Sequence, residues 1–337
     1  MATRKGKTFT FEKEIRIISS AGVAGRLEGE GPLRECFDEV FNDTTMGEEC
    51  WEKAESNLLA AAMKKAIAKA QIRDGDLDAV FAGDLLNQCI SSGFTLRSMD
   101  VPFGGVFGAC STMALSSLTA CLAVESGAMN ICMAATSSHF CSAEKQFRFP
   151  LEYGGQRTPT AQRTVTGAGA LIVSESKMKA LPRIRAAHLG TVQDLGIIDS
   201  TNMGAAMAPA ARKTISDYLR DTNTLPSDYD LILTGDLGLV GSRLLYELLE
   251  KEDRIDITKV HKDCGLMIFD RESQDVHSGG SGCGCCGSVL CSHILNEMKK
   301  GKIRNLLFVA TGALMSPVSS REGESIPGVA HLLNIVI

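Results

Sequence analysis

The residue best placed to do chemistry in this sequence is a cysteine set between small residues and a Ser-Thr pair. It sits in Phe107-Gly-Ala-Cys110-Ser-Thr-Met-Ala-Leu-Ser-Ser-Leu, and a helical pattern from Met113 to Ser126 follows directly. Gly108 and Ala109 permit a tight turn, and Ser111 or Thr112 is placed to cap the helix. At a helix start the positive end of the dipole favours thiolate, the nucleophilic form. A nucleophile also needs a base beside it. Without one, the same residue is a small buried thiol that only packs.

A second cysteine group, Cys283-Gly-Cys285-Cys286, has the look of a metal cluster. Zinc sites of that kind need a second separated pair or histidines at fixed spacing, and only His293 follows nearby. No metal and no cofactor are expected. The 12 cysteines show no regular disulfide spacing, so the chain is expected to be reduced and intracellular. A net charge of −5 gives no reason to expect nucleic-acid binding. No apolar run approaches the roughly 20 residues of a membrane span, so any membrane association is expected to be peripheral.

The elements that must position Cys110 repeat along the chain. In the first part, Glu14-Ile-Arg-Ile-Ile reads as a strand, Pro32 to Phe41 as a short helix and Trp51 to Gln71 as an amphipathic helix. Asp76-Leu-Asp-Ala-Val-Phe-Ala-Gly-Asp84 reads as a buried strand, as do Asn130 to His139 and Thr164 to Ser174. Residues 140–163 form a long polar insertion carrying Arg148, Tyr153, Arg157 and Arg163. Then Asp228-Tyr-Asp-Leu-Ile-Leu-Thr-Gly-Asp236 repeats the strand ending at Asp84, 152 residues later, after a helical stretch from Ala208 to Leu219. Gly280-Ser-Gly-Cys opens a helix through Lys300 as Gly108-Ala-Cys110 opened one before. Arg304 to Gly312 echoes Asn130 to Ser137. Two long-range echoes in the same order mark a duplicated α/β unit, with halves at 1–176 and 177–337.

A duplicated α/β chain of this size, with Phe107-Gly-Ala-Cys110-Ser at a helix start, resembles the thiolase fold and its condensing enzymes, notably β-ketoacyl-carrier-protein synthase III. The segments Phe81-Ala-Gly-Asp-Leu-Leu-Asn-Gln88, Gln146-Phe-Arg-Phe-Pro150, Glu152-Tyr-Gly-Gly-Gln156 and Gly279-Gly-Ser-Gly-Cys283 narrow that resemblance, over nearly the whole chain, to the stage V sporulation protein AD family. The resemblance implies a layered α-β-α-β-α sandwich of two pseudo-repeated halves. It also implies a part in moving dipicolinic acid across the inner membrane of bacterial spores. The chain would then be peripheral there, with the other stage V sporulation protein A membrane components as partners and a homodimer as a possible assembly.

Condensing enzymes of this fold place a His at a strand end in the second half and an Asn on a glycine turn. Here those places hold Thr234-Gly-Asp236 and Gly280-Ser281-Gly, so Asp236 and Ser281 stand where His and Asn are expected. An Asp beside Cys110 disfavours a thiolate and repels an enolate oxyanion. The expectation is therefore a non-catalytic pocket in which Cys110 is a wall, with Ser111, His139, Arg148, Asp236 and Ser281 as its ligand-binding residues. Dipicolinate is a flat ring with two carboxylates and needs donors and compensating charge, and its calcium chelate would suit the carboxylates of Asp84 and Asp236. For both aspartates the plainer reading is a turn residue accepting backbone hydrogen bonds. The rival functions are an acyltransferase using Cys110 and a purely structural subunit.

Overall fold

The computed structural model describes residues 2–147 and 157–337. Ten strands make the frame. The first half contributes β1 (Ile15–Gly25), β2 (Ala79–Gly83), β3 (Phe103–Gly105), β4 (Ile131–Ser138) and β5 (Gly167–Glu175). The second contributes β6 (Arg183–His188), β7 (Leu231–Thr234), β8 (His261–Asp263), β9 (Asn305–Ala313) and β10 (Gly328–Val336). Their spatial orders are β3-β2-β4-β5-β1 and β8-β7-β9-β10-β6. In each, the first three strands run parallel, and the fourth pairs antiparallel with both its neighbours. The duplication read from the sequence is thus repeated strand for strand. One antiparallel register pair, Arg183 opposite Arg16, joins β6 to β1.

The repeated aspartates explain why the echo is so sharp. Asp78 Oδ2 accepts from the N–H groups of Asn130 and Ile131, and Asp230 Oδ2 accepts from those of Arg304 and Asn305. One turn earlier, Asp76 accepts from Arg73 N–H and Asp228 from Leu225 N–H. Each pair ties a parallel strand to the chain end that feeds its neighbour, so the same residue types recur at the same places.

Helices fill three of five layers. The chain supplies α1 (Trp51–Ala70), α2 (Thr112–Ser126), α3 (Phe140–Phe147), α4 (Met203–Thr222), α5 (Gly238–Leu248) and α6 (Cys283–Val289). On one outside, Leu58, Met63 and Ile67 of α1 pack on Val80, Met133 and Ile172. On the other, Met207, Ile215 and Leu219 of α4 pack on Ile232, Leu307 and Leu332. The middle layer holds α2 and α6, whose Met113, Leu118, Cys286 and Val289 lie between Leu171 of one sheet and Phe308 of the other. A helix buried on all sides is apolar all round. That is why Ala109–Ser126 is long and apolar enough to cross a membrane by composition, while 72% of it is buried inside the fold.

Several expected boundaries move. The helix expected over Ala208–Leu219 begins at Met203, where Asn202 Oδ1 caps Ala205 N–H, and it carries Pro209 within it. Proline reads as a helix start in sequence, which hid the first turn. Pro32 to Phe41 is a 3₁₀ turn, Arg34–Cys36, followed by a short strand, Glu39–Phe41. The 140–163 stretch opens with α3 and ends in a strand, Arg163–Thr164, which pairs with Gly280–Ser281 of the other half. Histidines 188, 261 and 331 lie in β6, β8 and β10.

Candidate functional site

The starts of the two middle-layer helices meet between the halves. Ala109 takes the left-handed conformation at φ +49, which turns the chain sharply into Cys110 ahead of α2. Ser111 Oγ donates to Gly108 O at 2.6 Å, and Thr112 Oγ1 donates to Ala109 O at 2.6 Å while accepting from Gly108 N–H at 3.1 Å. Both hydroxyls are spent on holding this turn. Ser111 occupies the N-cap position without a side-chain cap bond, contrary to the expected cap. Gly312 on β9 has no side chain to collide with Gly108 O, which lets the second sheet press against the turn.

On the facing side, Gly282 precedes α6 at φ +102, a conformation that favours glycine. Its N–H donates to Asp236 Oδ2 at 2.8 Å, and Ser281 Oγ donates to the same oxygen at 3.1 Å. Thr311 Oγ1 donates to Asp236 Oδ1 at 2.8 Å. The Cys110 thiol stands beside this fully buried carboxylate. Burial, and then the charge of Asp236, push the Cys110 thiol well above its ordinary range. Burial also raises the Asp236 carboxyl, against the pull of its hydrogen bonds. The helix dipole is outweighed: Cys110 is held as a thiol. Behind Asp236, Asp263 accepts from Thr234 Oγ1 at 2.7 Å and from the N–H groups of Leu237 and Gly238, and burial raises it to about 7.

Cys110 and Ser281 line a narrow cavity of about 50 Å³. Its polar wall adds Gln162 and Thr164, its apolar wall is built from Leu85, Phe107, Phe147 and Met203, and Glu144 also faces it. No lysine or arginine is among the described residues that line it. Gln162 went unnoticed in the sequence, where it is one polar residue in a polar loop. It is 8% exposed, and its Nε2 donates to Asp236 O and to Gly280 O, both at 2.7 Å.

Of the residues expected in the pocket, Cys110 and Ser281 line it, and Asp236 stands directly behind them. Ser111 is turned into its own loop. His139 is elsewhere: its Nε2 meets Thr44 O at 2.9 Å, its Nδ1 accepts from Cys141 N–H, and its ring stacks on Trp51 at 5.4 Å. A histidine at a strand end next to a polar segment reads as a pocket residue, but here it fastens a loop. Arg148 lies outside the described residues. Asp84 accepts from Leu86 N–H and from Ser92 N–H and Oγ, so it is the turn residue of the plainer reading. Cys283, Cys285 and Cys286 donate to the carbonyls of Ser137, Gly235 and Cys110. Among the described residues no three metal-ligating side chains come together.

The family model described as Stage V sporulation protein AD matches residues 5–336. The chain belongs to the stage V sporulation protein AD family. The Bacillus subtilis (strain 168) member is 43% identical over 325 residues, covering 96% of this chain and 95% of that one. Membership gives the chain a role in sporulation. Among solved structures it is similar to cerulenin-bound OleA of Xanthomonas campestris, with a TM-score of 0.63 at 11% identity over 97% of this chain and 100% of that one. It is also similar to 3-oxoacyl-[acyl-carrier-protein] synthase III from Aquifex aeolicus VF5, with a TM-score of 0.56 at 12% identity over 96% of this chain and 100% of that one. At such identities the likeness shows the thiolase-like fold alone.

Proposed function

We propose that this family member binds dipicolinic acid, or its calcium chelate, without catalysing a reaction. It would act as a component of the spore dipicolinate transport system during sporulation, and again in germination. The observation that carries the reading is the Cys110 thiol set beside the buried Asp236 carboxylate at the wall of a cavity. A condensing enzyme needs a thiolate and donors for the oxyanion, and a carboxylate in that place opposes both. What remains suits a ligand site: hydroxyl and amide groups and apolar side chains line one cavity.

Charge decides the bound form. Asp236 and Glu144 oppose a bare dianion, so the compensating charge is proposed to come from Arg148 or from calcium carried in with the ligand. Cys110 and Ser281 are the proposed contacts, with Asp236 acting through the groups it holds. The chain is proposed to sit peripherally at the spore inner membrane beside the other stage V sporulation protein A components. A homodimer is proposed through the sheet edge at β3, where Phe103 is 40% exposed and nearby Phe107 50%.

Calorimetric titration with dipicolinate, with and without calcium, tests the reading. Saturable binding is expected, abolished by Cys110→Trp, which fills the cavity, and unchanged by His139→Ala. Absence of heat under both conditions sinks it. The second reading, an acyltransferase, keeps one point in its favour, since Cys110 lines a cavity at a helix start in a condensing-enzyme fold. An acyl group transferred to Cys110 from an acyl thioester would establish it.

A further inference from the structure

The Gln162 side chain leaves one polar atom unmet. Its Nε2 donates to two backbone carbonyls, of Asp236 and Gly280, which accept only. Those partners fix the amide, because the opposite orientation would set Oε1 against both carbonyl oxygens. Oε1 therefore faces away from them, and it is buried without a hydrogen-bond partner in a residue that lines the cavity. Buried acceptors are nearly always satisfied, and one left open on a cavity wall marks the place of a missing donor. The neighbouring Ser281 hydroxyl does not supply it, because it donates to Asp236.

We infer that Gln162 sets the selectivity of this cavity by accepting a hydrogen bond from its occupant, so that the site takes ligands presenting an O–H or N–H donor there. The inference rests on the cavity being the ligand site proposed above. A dipicolinate dianion offers only acceptors and leaves Oε1 unmet. The donor has two chemical sources: a group of the ligand itself, such as a carboxamide or a protonated carboxyl, or a water carried on a chelated cation.

Three probes separate these at neutral pH, where an ordinary carboxyl is ionised. They are metal-free dipicolinate, calcium dipicolinate and metal-free 6-carbamoylpyridine-2-carboxylate, titrated into the full chain and into Gln162→Met. The carbamoyl probe is expected to bind about tenfold more tightly than metal-free dipicolinate, and the variant to bring that ratio close to one. If the calcium chelate instead has the advantage and loses it in the variant, a bound water is the donor. A wild-type preference for neither donor-bearing probe overturns the inference while the ligand site stands, as does a variant that weakens all three equally. Binding of no probe by the wild type overturns both. A melting curve checks that Gln162→Met folds, and if it does not, the wild-type ratios decide alone.

Discussion

Asp84 and Asp236 end matching strands 152 residues apart, both are fully buried, and both follow a glycine and precede a leucine. Asp84 spends its carboxylate inside its own half, on Leu86 and Ser92. Asp236 spends it on Ser281, Gly282 and Thr311 of its own half, and the Cys110 thiol of the other half stands beside it. The outer helices diverge in the same way. Helices α1 and α4 share the 152-residue offset, which sets Glu55 in the place of Met207. Duplication preserved the frame while individual buried side chains at matching positions took different roles.

The largest effect is expected at the helix starts. Gly282 holds φ +102, and a Cβ there would come within 2.7 Å of Ser138 Oγ, whereas Ala109, ahead of Cys110, already carries a side chain at φ +49. Gly282→Ala should lower unfolding stability by about 3 kcal/mol through strain and overpacking. Ala109→Gly should change it by less than about 1 kcal/mol. Equal urea midpoints for the two variants would break the comparison.

Next in size is the pH response of the first half. Burial, then the nearby Asp84, raises the Glu55 carboxyl from 4.5 to about 8, while Ser137 and Ser142 donate to it. Between those values the unfolded chain releases a proton that the folded chain keeps. The contribution of Glu55 to stability therefore falls as pH rises from about 4.5 toward 8. Glu55→Gln should flatten that fall, by on the order of 2 kcal/mol across the window. The slope that remains combines Glu28 and Asp263, raised to about 7 by burial, and Asp84 and Asp236, also raised, with the opposite response of His188, His261 and His331, lowered to about 4. An unchanged profile would mean that Glu55 does not carry the difference from its Met207 counterpart.

How far the sequence foretold this arrangement depended on whether a residue's role was local. Asp76, Asp78, Asp228 and Asp230 serve backbone groups at fixed positions, so their repetition announced the duplicated fold. The cysteine at a helix start and the aspartate at a strand end were legible for the same reason, since each belongs to a strand end or helix start already recognised. Gln162 and His139 were misjudged because their roles depend on distant partners. Gln162 is fixed by Asp236 and Gly280, 74 and 118 residues away, and His139 by Thr44, 95 residues away. Nothing local to either side chain distinguishes a pocket wall from a loop fastening.

A smaller effect separates the two buried aspartates by their reach to Cys110. Asp236→Asn removes the like charge that opposes the thiolate, so iodoacetamide should alkylate Cys110 about tenfold faster, one unit of thiol pKa being worth that factor. Asp84→Asn should loosen its own turn and leave that rate unchanged. Equal rates in the two variants would mean that burial alone holds the thiol protonated.

The smallest effect is the most symmetrical. Asp78 and Asp230 each accept two backbone N–H groups at matching strand starts near the surface. Replacing either by Ala should lower stability by about 1 kcal/mol, and by the same amount within about 0.5 kcal/mol. The two sites lie in different halves and share no partner, so the double variant should lose about the sum. Both halves bury their inner faces on the one middle layer of α2 and α6, so the loss should appear as a shift of a single transition. Two separate transitions in the double variant would mean that each half keeps its structure without the other. The cavity between them would then depend on docking of the halves and not on folding.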